Sequence, residues 1–106
     1  MKKYDEFKKF WVDTVRPLAM EVMEKATSDK ADIHQSLGNM IWITDYDLLH
    51  NDVDRSLYDI DMVKLVLTDE EYYKERHSGS PQEEISRMKK LANLLNDLQK
   101  LIYLEE

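Results

Sequence analysis

The segment Asp45–Leu65, DYDLLHNDVDRSLYDIDMVKL, decides how the rest of the sequence is interpreted. It contains three blocks that each begin with an Asp-x-Asp pair and follow one another at intervals of seven residues. Seven residues are close to two turns of an α-helix, so equivalent aspartates of successive blocks fall on the same side of a helix. The spacing therefore predicts an acidic helical segment. Its aspartates are Asp45, Asp47, Asp52, Asp54, Asp59 and Asp61.

Apolar residues in the same region recur at steps of three or four, which is the helical period. A first group consists of Ile33, Leu37, Met40 and Ile41, and a second of Trp42, Tyr46, Leu49, Val53, Leu57, Ile60, Val63 and Leu67. We predict that these side chains face the core while the carboxylates stay exposed. Residues 40–67 fit one helix, or two helices with a break at 50–52. The β-branched and apolar residues of 40–44 and 58–67 also suit strands, but the continuous stripe favours helix.

Two further stripes lie at the ends of the chain. The N-terminal stripe is interrupted by Pro17 without losing its phase, which predicts one kinked helix. Helix-start signals at Thr68 and at Ser80–Pro81 predict a short helix ending near His77 and a long amphipathic C-terminal helix. The N-terminal stripe consists of Tyr4, Phe7, Trp11, Val15, Leu18, Val22 and Ala26, and the C-terminal heptad of Met88, Leu91, Leu95, Leu98 and Ile102.

Composition supports a single all-α domain. Two glycines and two prolines in 106 residues leave little turn material for a β-rich fold. We predict a compact bundle of about four helices, including the long C-terminal amphipathic helix, in one domain spanning residues 1–106. The absence of cysteine excludes disulfides and cysteine-bound zinc. The chain has no apolar run of roughly 20 residues and no secretion signal at its start, so we expect a cytoplasmic protein without a membrane span.

The formal charge of −7 is concentrated in the middle of the chain, where residues 29–77 carry five Lys/Arg against twelve Asp/Glu. A surface that binds nucleic acid directly needs a basic patch, and the sequence concentrates none. The charge instead favours a basic protein surface as partner. We therefore predict a small, acidic, non-enzymatic interaction module of the regulator, immunity-factor or mobile-element-inhibitor type, with inhibition of the partner as one outcome.

The six aspartates are the candidate contacts of this module. No catalytic residue, metal or cofactor is predicted, and both a monomer and a homodimer remain open.

Two other functions remain open on the sequence. The segment His34-Gln-Ser-Leu-Gly38 resembles the phospho-accepting segment of histidine phosphotransfer domains, which are acidic four-helix bundles with a glycine four residues after the histidine. That resemblance implies His34 as the phosphate acceptor, although Leu37 stands where the family usually has a lysine or a similar residue. The third possibility is a carboxylate-based metal or nucleotide enzyme, in which Asp47, His50 and Asp54 lie within two helical turns.

Overall fold

The computed structural model describes residues 2–25, 31–68 and 82–103, which form four helices with no strand among them. The N-terminal helix has three parts: α1 (Lys2–Phe10), a π-helical turn (Trp11–Val15) and α2 (Arg16–Lys25). The others are α3 (Ala31–Leu49), α4 (Asp54–Thr68) and α5 (Gln82–Tyr103). The all-α prediction is confirmed, and the strand alternative within residues 40–67 is wrong.

The helices close into a bundle because each one packs against two others. The N-terminal helix contacts α3 and α5, and α4 contacts the same two helices from the other side. The C-terminal helix α5 runs about 33 Å at 1.5 Å per residue. Every member of its predicted heptad is at most 7% exposed: Met88, Leu91, Leu95, Leu98 and Ile102. No helix in the described part of the chain combines the length and apolar character that crossing a bilayer requires.

The π-helical turn in the N-terminal helix is explained by Pro17. Proline has no N–H to donate, and its ring clashes with the carbonyl four residues earlier in a regular helix. In the turn before it, the backbone N–H of Arg16 donates to the carbonyl oxygen of Trp11, five residues back instead of four. The helix therefore continues past the proline, as the stripe predicted, by taking one extra residue into a single turn.

This extra residue changes which side chain is buried directly after the proline. Leu18 was predicted in the core but is only half-buried, whereas Ala19 is completely buried. A one-residue insertion rotates the next turn by about 100° relative to the preceding turns, whereas Val22, also predicted in the stripe, remains buried. The observed core residues of this helix are Phe7, Trp11, Val15, Ala19 and Val22.

A sharp turn separates α3 from α4, at the predicted break. Asn51 has a φ of 54°, in the left-handed region that asparagine tolerates better than most residues. The N–H groups of Asn51 and Asp52 donate to the carbonyls of Leu48 (3.3 Å) and Asp47 (2.9 Å). This is the Schellman pattern, in which a left-handed residue reverses the chain and satisfies the last carbonyls of a helix.

Because the helix ends here, α3 and α4 do not share one continuous stripe. The α4 part of the predicted stripe is buried, from Val53 to Leu67. The α3 part is not, since Trp42, Tyr46 and Leu49 are 64%, 43% and 80% exposed, so their prediction as core is wrong. With the turn between them, each helix rotates independently to bury its best face. The core residues of α3 are Ile33, Leu37, Met40, Ile41, Thr44 and Leu48.

Several predictions fall on the segments 26–30 and 69–81. The short helix starting at Thr68 lies outside the described residues except for Thr68 itself, the last residue of α4. Ala26, Ser80 and Pro81 also lie outside the described residues, while the helix expected after Pro81 is present from Gln82 onward.

Replacing Asn51 should reveal how strongly the turn depends on its left-handed backbone. We expect Asn51→Gly to match or exceed the wild-type free energy of unfolding, because glycine adopts this conformation without steric cost. Asn51→Val should lower it by about 1–2 kcal/mol, because a side chain branched at Cβ is strained there. Urea unfolding followed by circular dichroism measures both effects.

The matched control is Asn93→Val on the exposed face of α5. Asparagine and valine have similar helix propensities, so this change should alter stability by less than about 0.5 kcal/mol. Equal unfolding midpoints for Asn51→Val and the wild type would contradict the assigned role of the turn.

Candidate interaction surface

Asp45 joins the N-terminal helix to α3. One of its carboxylate oxygens accepts the indole N–H of Trp11 at 2.9 Å. The Arg16 Nε lies 3.0 and 3.2 Å from the two oxygens, and its second guanidinium nitrogen lies 3.0 Å from Oδ2. Trp11 is completely buried, so without Asp45 its N–H would lose its partner inside the protein, at a cost of about 1–3 kcal/mol.

The π-helical turn explains how one carboxylate reaches both donors. In a regular α-helix, residues five apart point about 140° away from each other. The hydrogen bond from Arg16 N–H to the Trp11 carbonyl brings these two residues onto the same side of the helix. Asp45 is therefore explained by packing, and its charge is balanced by Arg16.

Asp47 is buried and caps the following helix. It is only 3% exposed, and one of its oxygens accepts the backbone N–H of Ser56 at 2.9 Å and the Ser56 hydroxyl at 3.0 Å. The first helical hydrogen bond of α4 runs from Leu57 N–H to the Val53 carbonyl. Ser56 N–H is consequently one of the donors that a helix start leaves unpaired, and a side chain from α3 satisfies it.

Asp52 completes the cap of α4. Its Oδ1 accepts the N–H groups of Val53 at 2.8 Å and of Asp54 at 3.1 Å. Both Asp52 and Asp54 are exposed, and negative side chains at a helix start interact favourably with the helix dipole. These two residues therefore combine a structural role with an accessible negative charge.

Asp61 lies on the α4–α5 contact. It accepts the amide N–H of Gln99 at 2.7 Å and lies 3.6 Å from the Lys64 ammonium. Gln99 is buried, also donates to the Leu57 carbonyl at 3.4 Å, and accepts a hydrogen bond from Lys64. A buried amide thus connects the two helices, while Asp61 itself remains exposed.

Asp59 is the member of the set whose protonation is shifted. It is half-buried, and burial, followed by the nearby charge of Asp47, raises the pKa of its carboxyl above the ordinary value.

The expectation that all six carboxylates stay exposed is therefore wrong. One is buried, two are partly covered and three are exposed, and they are divided between α3, the turn and α4. The heptad spacing aligns equivalent aspartates of the three blocks in two rows only along an uninterrupted helix. The exposed members are Asp52, Asp54 and Asp61.

The sequence reasoning missed a group of exposed apolar side chains on α3 and α4. They follow helical spacing on each helix, at positions i, i+4 and i+7, on the side that faces away from the core. The sequence signal for this group was the number of apolar residues in α3. They form two stripes along the helix, but a helix at the edge of a bundle can bury only one of them. The group consists of Trp42, Tyr46 and Leu49 on α3 and Tyr58, Met62 and Leu65 on α4.

Three rings are in contact along the exposed side of α3 and the turn that follows it. The Trp42 and Tyr46 rings are 5.5 Å apart, centroid to centroid, with an interplanar angle of 19°. The Tyr46 and His50 rings are 4.4 Å apart with an angle of 47°. We call Trp42, Tyr46, Leu49 and His50 the aromatic ledge.

The residues of the phosphotransfer resemblance lie at the contact between α2 and α3. His34 is exposed, and its Nδ1 lies 2.9 Å from the carbonyl oxygen of Met23. A Cβ added to Gly38 would lie 3.5 Å from the Met23 sulfur, an ordinary contact distance. Gly38 thus faces a packed neighbour rather than open solvent. The assignment of His34 as a phosphate acceptor stays a prediction.

The ligands suggested for a metal site do not converge. In the described part of the chain, no three His, Cys, Asp or Glu side chains lie close enough together to hold a metal ion. Asp47 instead binds Ser56, as described above.

Comparisons with known proteins give no further guide to the surface. This chain matches no protein-family model, no curated protein and no solved structure.

Removing the Asp47 carboxylate should destabilise the bundle. Asp47→Ala leaves the buried Ser56 N–H and hydroxyl without their acceptor, which should cost about 2–3 kcal/mol. Asp47→Asn retains one acceptor oxygen and should cost less. As a control, Asp97→Ala on the exposed face of α5 should stay within about 0.5 kcal/mol of wild type in urea unfolding. If Asp47→Ala, Asp47→Asn and Asp97→Ala were equally stable, the structural role assigned to Asp47 would be wrong.

Tyr4 should make stability depend on alkaline pH. Its buried hydroxyl finds no hydrogen-bond partner among the described residues. Burial, followed by the charges of Asp52, Asp47 and Asp54, raises the pKa of Tyr4 from 10.0 to about 12. The unfolded chain then releases the phenolic proton near pH 10 while the folded chain retains it, so the free energy of unfolding should fall as the pH rises from 10 towards 12.

Tyr4→Phe removes this titration and should flatten that part of the pH profile of the unfolding midpoint. Because the hydroxyl makes no hydrogen bond within the described residues, neutral-pH stability should be retained. Tyr103→Phe, at an exposed position on α5, is the control and should leave the wild-type profile unchanged. A Tyr4→Phe profile that parallels wild type above pH 10 would contradict the assignment.

Proposed function

We propose that this chain is a small non-enzymatic interaction module that binds a basic partner protein through the outward side of α3 and α4. The observation that carries the proposal is the distribution of exposed apolar side chains. Six of the eight large apolar residues exposed in the described part of the chain belong to these two helices. Scattered exposed apolar residues are ordinary, but their concentration on two adjacent helices of a small protein is typical of an interaction site.

The charge of the segment that contains these two helices indicates that the partner is positively charged. Residues 31–68 contain seven aspartates against one arginine and one lysine, which gives −5. A surface with a net negative charge attracts basic proteins and repels acidic ones, most strongly at low ionic strength. A partner whose own basic surface binds an acidic ligand would be inhibited when this module covers it.

Among the six candidate aspartates, the proposal relies on Asp52 and Asp54. Asp45 and Asp61 lie within 3.0 and 3.6 Å of cationic nitrogens of their own chain, which offsets part of their charge. Asp47 is buried and cannot touch a partner without breaking the α4 cap. The two aspartates of the turn are exposed and directly follow the aromatic ledge in the chain.

The charge dependence is tested with the double variant Asp52→Asn/Asp54→Asn. Asparagine also caps helices well, so the fold should be preserved. Proteins captured by the immobilised wild type, once identified by mass spectrometry and purified, should be basic. They should bind the double variant about five- to tenfold more weakly at low salt, with a smaller difference at higher ionic strength.

The control is Asp5→Asn/Asp97→Asn, which removes two exposed charges elsewhere and reaches the same net charge, −7 + 2 = −5. Binding of this control should stay close to wild type. Equal loss in both double variants would indicate a general charge effect, and the absence of basic proteins from the captured set would reject the proposal.

A further inference from the structure

The aromatic ledge makes little contribution to the bundle core. The core faces of the helices account for the buried apolar residues, whereas Leu49 is 80% and Trp42 64% exposed. Helix propensity does not explain these residues, since lysine or glutamate would suit an exposed helix position better than tryptophan or tyrosine. A role outside the bundle accounts for a row of rings in contact on its surface.

The chemistry of the ledge fits an arginine together with apolar side chains. The face of an aromatic ring attracts a cation, and tryptophan and tyrosine do so most strongly. Arginine suits the position better than lysine because its planar guanidinium stacks on a ring while its N–H groups still donate to carboxylates. The carboxylates of Asp52 and Asp54 come directly after the ledge, and Leu49 offers a neighbouring apolar contact.

We infer that the aromatic ledge binds an amphipathic basic segment of a partner protein, with an arginine stacked on the exposed Trp42 ring and an apolar residue packed against Leu49. This inference rests on the proposed function and specifies the partner's chemistry. The rings provide the affinity for the arginine, and the aspartates of the turn favour a positively charged segment.

Charge complementarity favours such a segment over a second copy of this chain. A symmetric dimer through this side would bring together two copies of a segment, residues 31–68, whose formal charge is −5. Like charges brought together in an interface oppose association. A basic segment meets no such repulsion.

The test uses synthetic peptides of about four helical turns, with leucines on one face and arginines beside them. Three further peptides carry lysine for arginine, glutamate for arginine, or the same residues in scrambled order. Trp42 is exposed while Trp11 is completely buried, so a change in tryptophan fluorescence on titration reports on the ledge. We expect binding of the arginine peptide, about threefold weaker binding of the lysine peptide, and no binding of the glutamate peptide.

Variants assign the binding to the ledge, with affinities measured by calorimetry because Trp42 is itself the fluorescent reporter. Trp42→Ala and Leu49→Ala should each weaken binding of the arginine peptide about tenfold or more. Tyr103→Ala, which removes another exposed aromatic ring on α5, should leave it unchanged. Because all three positions are exposed, the variants should fold like wild type, as circular dichroism will verify.

The outcomes separate the inference from the function on which it rests. If Asp52→Asn/Asp54→Asn weakens peptide binding but Trp42→Ala does not, the ledge is not the binding site, and the proposal of a basic partner still stands. Equal affinity for the arginine, glutamate and scrambled peptides would overturn both. A dimer in sedimentation that Trp42→Ala dissociates would assign the ledge to a second copy and overturn the inference.

Discussion

The turn between α3 and α4 is the constraint on which the rest of this structure depends. Asn51 reverses the chain, and the buried Asp47 carboxylate holds the start of α4 against the end of α3. These contacts end α3 at Leu49, although the apolar residues continue in phase beyond it. Each helix can then rotate independently about its own axis. The exposure of the ledge is a consequence of this separation.

A second constraint sets the position of α3 from the other side of the bundle. Pro17 forces an extra residue into the preceding turn, and the resulting π-helical turn brings Trp11 and Arg16 to the same carboxylate of Asp45. Asp45 can meet both donors only when α3 presents that side to the N-terminal helix. This rotation directs Ile33, Leu37 and the other apolar residues of the adjacent side into the core, and leaves Trp42 and Tyr46 outside.

The acidic residues of the middle segment therefore serve two purposes. Asp45, Asp47 and Asp61 connect helices to one another, and Asp52 caps a helix start. The charge that remains exposed lies mainly at the turn and along α4, where the proposed partner would meet both acidic groups and apolar side chains.

The sequence by itself determined the helical class, the long C-terminal helix and the buried stripe of α5 and α4, and it located residues 50–52 as the place where a break could occur. These features follow from local rules, since helical periodicity and turn chemistry act within a few residues of the chain. Tertiary structure alone decided which of the two stripes of α3 is buried, which side chain of the N-terminal helix is buried directly after the proline, and which aspartates are used inside the protein. Those choices depend on contacts between residues far apart in the chain, such as Asp45 with Trp11 or Asp61 with Gln99, and a pattern read along one helix contains no information about its neighbours.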